Sequence, residues 1–373
     1  MPRAGRGKAM TIRIPERIAD LDLDTLNDLV RQQHPQAVVE DFTILKAMQY
    51  GDGMVSTSAR AFVELDYRPG SDDGLPRQVL VKLAYDLEQL PWPLYANEVR
   101  FYRDLRREQT IEAPRTLGAS YDHDSHRFLL LLEDLSLRGA RFPNALSNVG
   151  VDAVAATLDV LAALHARYWR SPRFASDLAD LETHVDGPLN DFMTQLVPHA
   201  IQQEIDTNPY KRELVAKMGS SGDGLLKGMM AVQRHQATLS QTLLHGDSHI
   251  GNIYLLPDGR AGLLDWQLMV RGYCMHDVNY LITTALPIDV RRRHEQDLLR
   301  HYLGRRAAQG VAAPPGFDEA FTEYRRTLIW GVYIGWLTTS VVNYGWEINT
   351  VNLLRLTTAY DDHDTAALVA ELL

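Results

Sequence analysis

Along the first third of the chain, apolar and polar positions alternate with a period of two. "DFTILKAMQY" (41–50), "SARAFVELDY" (58–67) and "RQVLVKLA" (77–84) are rich in β-branched and aromatic residues, which predicts strands. Between the second and third, "RPGSDDGLP" carries the Pro, Gly and Asp of a hairpin loop. Shorter runs at "TLGASYD" (116–122) and "RFLLLLE" (127–133) flank a turn-like "HDSH" and bring the number of predicted strands to five. Before them, "PLYANEVRFYRDLRRE" (93–108) switches to helical spacing, with Leu94, Glu98, Phe101 and Leu105 on one side.

After about residue 135 the period becomes helical. "VDAVAATLDVLAALHARYW" (151–169) places Val154, Leu158, Leu161, Leu164 and Tyr168 on one face. Similar spacing runs through 190–240, 289–310 and from 318 to the end. Only "IYLLPDGRAGLLD" (253–265) interrupts it, as a hairpin around Pro257-Asp258-Gly259. The expected layout is α+β: a disordered leader at 1–20, a β-rich N-lobe at 21–134, a connector near 133–150 and a helical C-lobe within 135–373, with a cleft between the lobes. One stretch, "LIWGVYIGWLTTSVVNYGW" (328–346), is uncharged over 19 residues, near the length of a membrane span. It carries Thr338, Thr339, Ser340 and Asn343, so a buried helix is expected rather than a transmembrane one.

Composition narrows the classes. With 45% hydrophobic and 23% charged residues, the chain has the balance of a globular protein. A net charge of −10 disfavours unspecific binding to nucleic acid or anionic lipid. "MPRAGRGKAM" at the start lacks the apolar run of a secretory signal. Cys274, the single cysteine, excludes an internal disulfide and a cysteine-based zinc site, and a cytoplasmic location is the simplest expectation.

Two charges sit where the pattern asks for apolar residues. Alternation in "QVLVKLA" puts Lys82 on a face with Leu80 and Ala84, and Glu98 lies within the apolar stripe of its helix. Buried charges need partners, so Lys82 and Glu98 are expected to pair across a strand–helix interface, against the alternative of a strand-edge lysine and a glutamate at a helix rim. Upstream, "YGDGMVSTSA" (50–59) is a glycine- and hydroxyl-rich turn. Its backbone N–H groups and hydroxyls, Ser56 among them, are candidates to hold phosphate oxygens, although the glycine spacing matches no dinucleotide or P-loop motif.

"LLHGDSHIGNIYLLPDGRAGLLDWQ" (243–267) sets His245, Asp247 and His249 at alternate positions. A two-metal phosphoesterase would need further ligand loops, and "GNIY" lacks the histidine of such an element. A polar turn accounts for Asp258-Gly259 but not for Asp265, which ends an apolar run at the far side of the hairpin. Two carboxylates and an amide at the ends of one hairpin converge, and converging acids call for a proton or a cation; Mg²⁺ is the natural guest. Asp247 and Asn252 are five apart and Asp265 follows thirteen later, the order found in phosphoryl-transfer enzymes.

These residues resemble the aminoglycoside phosphotransferase and choline kinase family, the small-molecule branch of the protein-kinase-like fold. Its loop pattern H-G-D-x-H-x-G-N is matched at 245–252, and its acidic strand end by "LLDWQ". "LAALHARYW" and "LLDWQ" look especially similar to the ecdysteroid-kinase-like subgroup, and the likeness spans roughly 40–365. The resemblance implies a bilobal fold with a five-stranded antiparallel N-lobe and a mainly helical C-lobe. It implies an ATP- or GTP-dependent and Mg²⁺-dependent kinase acting on a small hydroxylated acceptor, with no nucleic-acid or membrane partner. Asp247 would be the base, Asn252 and Asp265 the Mg²⁺ ligands, and Lys82, held by Glu98, the contact to the α- and β-phosphates. Backbone groups of Glu133 and Leu135 would meet the adenine. His249 falls where protein kinases have a lysine that touches the transferred phosphate, and is expected to do similar catalytic work, against the alternative of a purely structural hydrogen bond. His245 is expected to be structural, and Asp277 to brace the loop. Gly246 replaces the arginine that senses activation-loop phosphorylation in many protein kinases, and no A-P-E-like segment follows Asp265, so a protein kinase is disfavoured. A nucleotide-binding protein without turnover is the alternative, although no acid or lysine is missing. Trp330, Tyr333, Trp336, Tyr344 and Trp346 are an acceptor cage or a core, and "YDDHD" (360–364) is either an acidic rim for an aminoglycoside acceptor or a solvated turn.

Overall fold

The computed structural model describes residues 12–48, 58–84 and 92–373. The chain divides into two compact units, Met1–Glu108 with Pro114–Leu135, and Gln109–Ala113 with Ser136–Leu373.

The first unit is built on one antiparallel sheet. Its strands are β1 (Val39–Met48), β2 (Ser58–Tyr67), β3 (Gln78–Ala84), β4 (Thr116–Tyr121) and β5 (Phe128–Glu133), in the order β1-β2-β3-β5-β4. Period-2 alternation sends Val79, Val81 and Leu83 into an apolar core with Val63, Leu65, Leu129 and Leu131. Helix α1 (Leu23–Arg31) covers that face with Leu26, Leu29 and Val30; its N-cap Asp22 accepts from the Thr25 N–H at 2.8 Å. The approach is tight enough that a Cβ on Gly118 in β4 would lie 2.6 Å from Leu29 Cγ. This helix is absent from the sequence reading.

The leader expectation is corrected from residue 12 onward. Ile12 and Ile18 are buried in the same core, because apolar positions in "TIRIPERIADL" find a covered face there. Residues 1–11 lie outside the described residues. The helix expected at 93–108 is present in three pieces: α2 (Trp92–Arg100), a π-helical turn Phe101–Leu105 and a 3₁₀ turn Arg106–Glu108. Glu98, Phe101 and Leu105 are buried, as their spacing required.

In the second unit, helix α3 (Val151–Tyr168) buries Val154, Leu158, Leu161, Leu164 and Tyr168. Two short ribbons carry the loops of interest. β6 (Thr242–Leu244) pairs with β9 (Val270–Gly272), and β7 (Ile253–Leu255) pairs with β8 (Ala261–Leu263) across a turn at Gly259, φ +87°. The loop 245–252 therefore hangs between β6 and β7, and residues 264–269 between β8 and β9.

The uncharged stretch 328–346 is not one helix. Helix Phe317–Trp330 gives way to a π-helical segment Gly331–Leu337, and helix Val341–Asp362 is broken at Gly345, φ +80°. Gly331 and Gly335 explain part of this: a Cβ at either would crowd Tyr280. Among the described residues no helix is long and apolar enough to cross a membrane.

Candidate active site

Lys82 and Glu98 meet as the buried-charge argument requires. On β3, Lys82 stands opposite Leu130 of β5, on the face away from Val81. Its Nζ reaches Glu98 Oε1 at 2.6 Å and Oε2 at 2.7 Å, both residues being buried. A buried lysine that contacts both oxygens of one carboxylate is anchored there, not a solvated edge residue. Glu133 ends β5, where its N–H donates to the Arg115 carbonyl at 2.9 Å and its Oε1 accepts from the Arg115 N–H at 2.8 Å. Leu135 opens the next 3₁₀ turn and is buried. Ser56 and most of the hydroxyl-rich turn lie outside the described residues.

Asp247, His249, Asn252 and Asp265 come together in the second unit, starting from Asp277. That residue sits in the first turn of helix Met275–Ala285. Its Oδ2 accepts from the His245 N–H at 2.7 Å and from His165 Nε2 at 3.0 Å, and its Oδ1 accepts from the Gly246 N–H at 2.9 Å. Burial alone would raise the Asp277 pKa. The His165 hydrogen bond and the favourable electrostatics of the imidazoles of His165, His276 and His245 around it outweigh it and hold the carboxyl well below the ordinary range. Asp277 is thus an anion that fixes the start of the loop, the bracing role expected for it.

Gly246 has φ +83°, and a Cβ there would overlap the Leu268 carbonyl oxygen, so neither arginine nor alanine fits. His276 Nε2 donates to the Gly246 carbonyl at 2.9 Å.

His245 links the two loops. Its Nδ1 accepts from the Asp247 N–H at 3.2 Å, so Nε2 carries the proton and donates to the Leu264 carbonyl at 2.7 Å. Burial lowers its pKa, which agrees with this neutral form. The Leu264 N–H in turn donates to the Asn252 carbonyl at 2.8 Å. One peptide, Leu264, is thereby tied to both ends of the 245–252 loop, and Asp265 follows directly. Asp265 adopts a left-handed φ of +59°, uncommon for any residue but glycine and tolerated by Asp.

Asn252 Nδ2 donates to both the carbonyl and Oδ2 of Asp247, at 2.8 and 2.9 Å. The side-chain position of Asp247 is therefore set by its own loop. Burial, reinforced by the negative charge of Asp265, pushes the Asp247 pKa up to about 8, with the Asn252 bond pulling the other way. The donor set fits Mg²⁺: two carboxylates whose repulsion a divalent cation relieves, and an amide oxygen beside them. Among the described residues no group of three His, Cys, Asp or Glu side chains has metal-holding geometry.

His249 caps the turn Ile250–Asn252, its Nδ1 accepting from the Gly251 N–H at 2.9 Å. Its Nε2 therefore bears the hydrogen and lies 3.8 Å from Asp247 Oδ2. Burial brings its pKa down to about 4. It offers a neutral N–H donor where a protein kinase would have a cation. Its ring packs edge-on to Tyr280 (5.8 Å) and Trp336 (5.9 Å).

The aromatic residues of the acceptor expectation separate. Trp330, Tyr333 and Trp336 are buried, while Tyr344 and Trp346 are exposed, and Tyr344 lies 5.8 Å from Trp336. The acidic-rim expectation for 360–364 is weakened: Asp362 is ion-paired with Arg291 and Arg292, and His363 Nε2 is hydrogen-bonded to Glu295 Oε2 at 3.0 Å. Sequence reading also missed His165 and His276. Both look like core histidines in their helices, and only the position of Asp277 in space shows what they hold.

No curated protein sequence matches the chain significantly. Several solved structures do match it in fold. A choline kinase from Cryptosporidium parvum Iowa II superposes with a TM-score of 0.54 at 11% identity, covering 94% of this chain and 98% of its own. APH(2")-IIia in its GDP and kanamycin complex gives 0.51 at 9% identity, covering 90% and 98%. The GDP complex of a single-residue mutant of an aminoglycoside 2'-phosphotransferase gives 0.50 at 11%, covering 92% and 99%. The five-stranded antiparallel sheet and helical second unit are thus a protein-kinase-like fold. A family model matches residues 51–308, well over half of the chain, and with it the protein belongs to the ecdysteroid kinase-like family.

Proposed function

We propose that the protein is a small-molecule kinase that transfers the γ-phosphate of ATP to a hydroxyl of a small acceptor. In this reading Asp247 orients the acceptor hydroxyl and receives its proton, Asn252 and Asp265 hold Mg²⁺, and Lys82, steadied by Glu98, meets the α- and β-phosphates. Backbone groups of Glu133 and Leu135 meet the nucleotide base, and the hydroxyls around Ser56 its phosphates. His249 donates its neutral Nε2–H to the transferred phosphoryl oxygen. Bound Mg²⁺ supplies charge neutralisation for the phosphates and lets Asp247 stay ionised.

The observation that carries this reading is the double hold on Leu264 by His245 and Asn252, which brings Asp265 close enough to raise the pKa of Asp247. Two acids held close, one of them bonded by an amide, are poorly explained as structure, since their repulsion costs stability. They are well explained as a site completed by a cation. Two structural neighbours are GDP complexes, so ATP and GTP are both measured.

The test is nucleotide consumption with Mg²⁺, using ATP and GTP in turn, across a panel of alcohols spanning amino sugars, quaternary amines, plain sugars and polycyclic alcohols. Acceptor-dependent consumption lost in Asp247→Ala supports the proposal. Equal consumption by both proteins would sink it, and Mg²⁺-dependent nucleotide binding with no turnover would favour an inert binder.

A further inference from the structure

Lys211 takes no part in the chemistry above, yet it is fully buried. In the helix Pro209–Lys217 only Lys211 and Val215 are buried, so a cation is the helix's main anchor. A desolvated ammonium is costly unless all its donors are paired. Here they are: Nζ donates to Glu204 Oε2 at 2.7 Å, to the Leu337 carbonyl at 3.0 Å and to the Thr339 carbonyl at 2.6 Å. Three donors meet three oxygens.

The Leu337 carbonyl ends the π-helical segment Gly331–Leu337, where helix geometry leaves carbonyls without partners, and the Thr339 carbonyl lies two residues beyond it. The Thr339 carbonyl also accepts from Asn349 Nδ2 at 2.8 Å, and Tyr210, beside Lys211, donates its hydroxyl to the Thr350 carbonyl at 3.1 Å. The helix thus clamps the segment's end and the helix that follows.

The clamped segment carries Trp336, whose ring meets His249 edge-on, and Gly335, where a Cβ would overlap the Tyr280 hydroxyl. Tyr280 in turn packs against His249. The segment therefore lies flush on one wall of the histidine, and sliding its end would shift the other.

We propose that Lys211 is a positioning residue for the site: through the Leu337 and Thr339 carbonyls it sets Trp336 against His249 and so aims the His249 Nε2–H at the space beside Asp247. The proposal takes the role of His249 from the phosphoryl-transfer reading, and the means of holding it from geometry alone.

A double-mutant cycle between Lys211→Met and His249→Gln tests it, read as kcat for ATP consumption with the most active alcohol of the panel, or with water if none is active. Each single change is expected to lower kcat about tenfold at unchanged KM for ATP, and the double variant to fall no further than His249→Gln alone, because both act through one ring. Losses that multiply would overturn the proposal. Lys211→Arg guards against loss of folding. It keeps the charge but cannot aim three tetrahedral donors at the same oxygens, so the same coupling is expected, and parental kcat in this variant also overturns the proposal. A second readout needs no turnover. The imidazole resonances of His249, identified by their loss in His249→Gln, should move in folded Lys211→Met or Lys211→Arg. Unmoved resonances refute the positioning role even if the chain proves not to consume ATP, so the two readings fail separately.

Discussion

His245 Nε2 and the Leu264 carbonyl are joined by a 2.7 Å hydrogen bond, and that bond ties the 245–252 loop to the strand end before Asp265. Replacing His245 with Ala leaves the Leu264 carbonyl and the Asp247 N–H without their side-chain partner. We expect a stability loss of about 1–3 kcal/mol. Turnover should fall by about 10²-fold, because the two acids lose their mutual placement. Urea unfolding and kcat for the most active alcohol check both figures.

Asp277→Asn removes an acceptor from a cluster of three donors, since the amide nitrogen cannot accept from His165, His245 or Gly246. The Asp277 pKa is depressed in the folded state, so its stabilisation is fully present above the unfolded carboxyl value of about 3.9 and drains away as pH falls from there through the lower folded value. Parent and variant should therefore differ most at neutral pH and converge in acid. Urea titrations at pH 7 and pH 3 measure the gap.

Asp247 titrates in the opposite sense. Its folded pKa is raised to about 8, so any stability linked to its proton is fully present below the unfolded value and is lost as pH rises through 8. Asp247→Asn should raise the melting temperature of the metal-free protein at pH 8 more than at pH 5. Adding Mg²⁺ with a nonhydrolysable ATP analogue should shrink that advantage. The acid limb of kcat/KM, which reports the free enzyme's base, should lie near pH 8 and vanish in no other single carboxylate variant of the loop.

Lys82→Met leaves the Glu98 carboxylate buried without its cation. Removing one partner of such a pair costs about 3–5 kcal/mol, and nucleotide affinity should fall with it. Lys82→Met combined with Glu98→Met should recover most of the stability and none of the affinity, as read by urea unfolding and ATP-analogue titration.

Much of this was legible in the residues. Strands have a short period and announce themselves, so β1 to β5 and the β7–β8 turn were readable, and Lys82 and Glu98 stood out because a charge in an apolar stripe demands a partner. The loop's spacing pointed to Asp247, Asn252 and Asp265. Helix α1 escaped because Leu26, Leu29 and Val30 are few, and only the sheet beneath them makes a face. The stretch 328–346 misled for a different reason: its apolar run is continuous, while one break falls where Gly331 and Gly335 accommodate Tyr280, a residue some fifty positions earlier, and another at Gly345, φ +80°. His165 and Lys211 were invisible for the same cause. A buried polar side chain is explained by its partners, and those lie far along the chain.

The place of Lys82 has one more consequence, for how the chain finds its shape. β3 lies in the middle of the sheet, paired on both sides, and a slip of one residue would turn every side chain to the opposite face. The ammonium would then enter the layer of Val63, Leu65 and Leu131 beneath α1, away from Glu98. The slipped register is thus penalised by a charge trapped in oil-like surroundings, so the lysine assigned to the nucleotide also favours the correct pairing of β3.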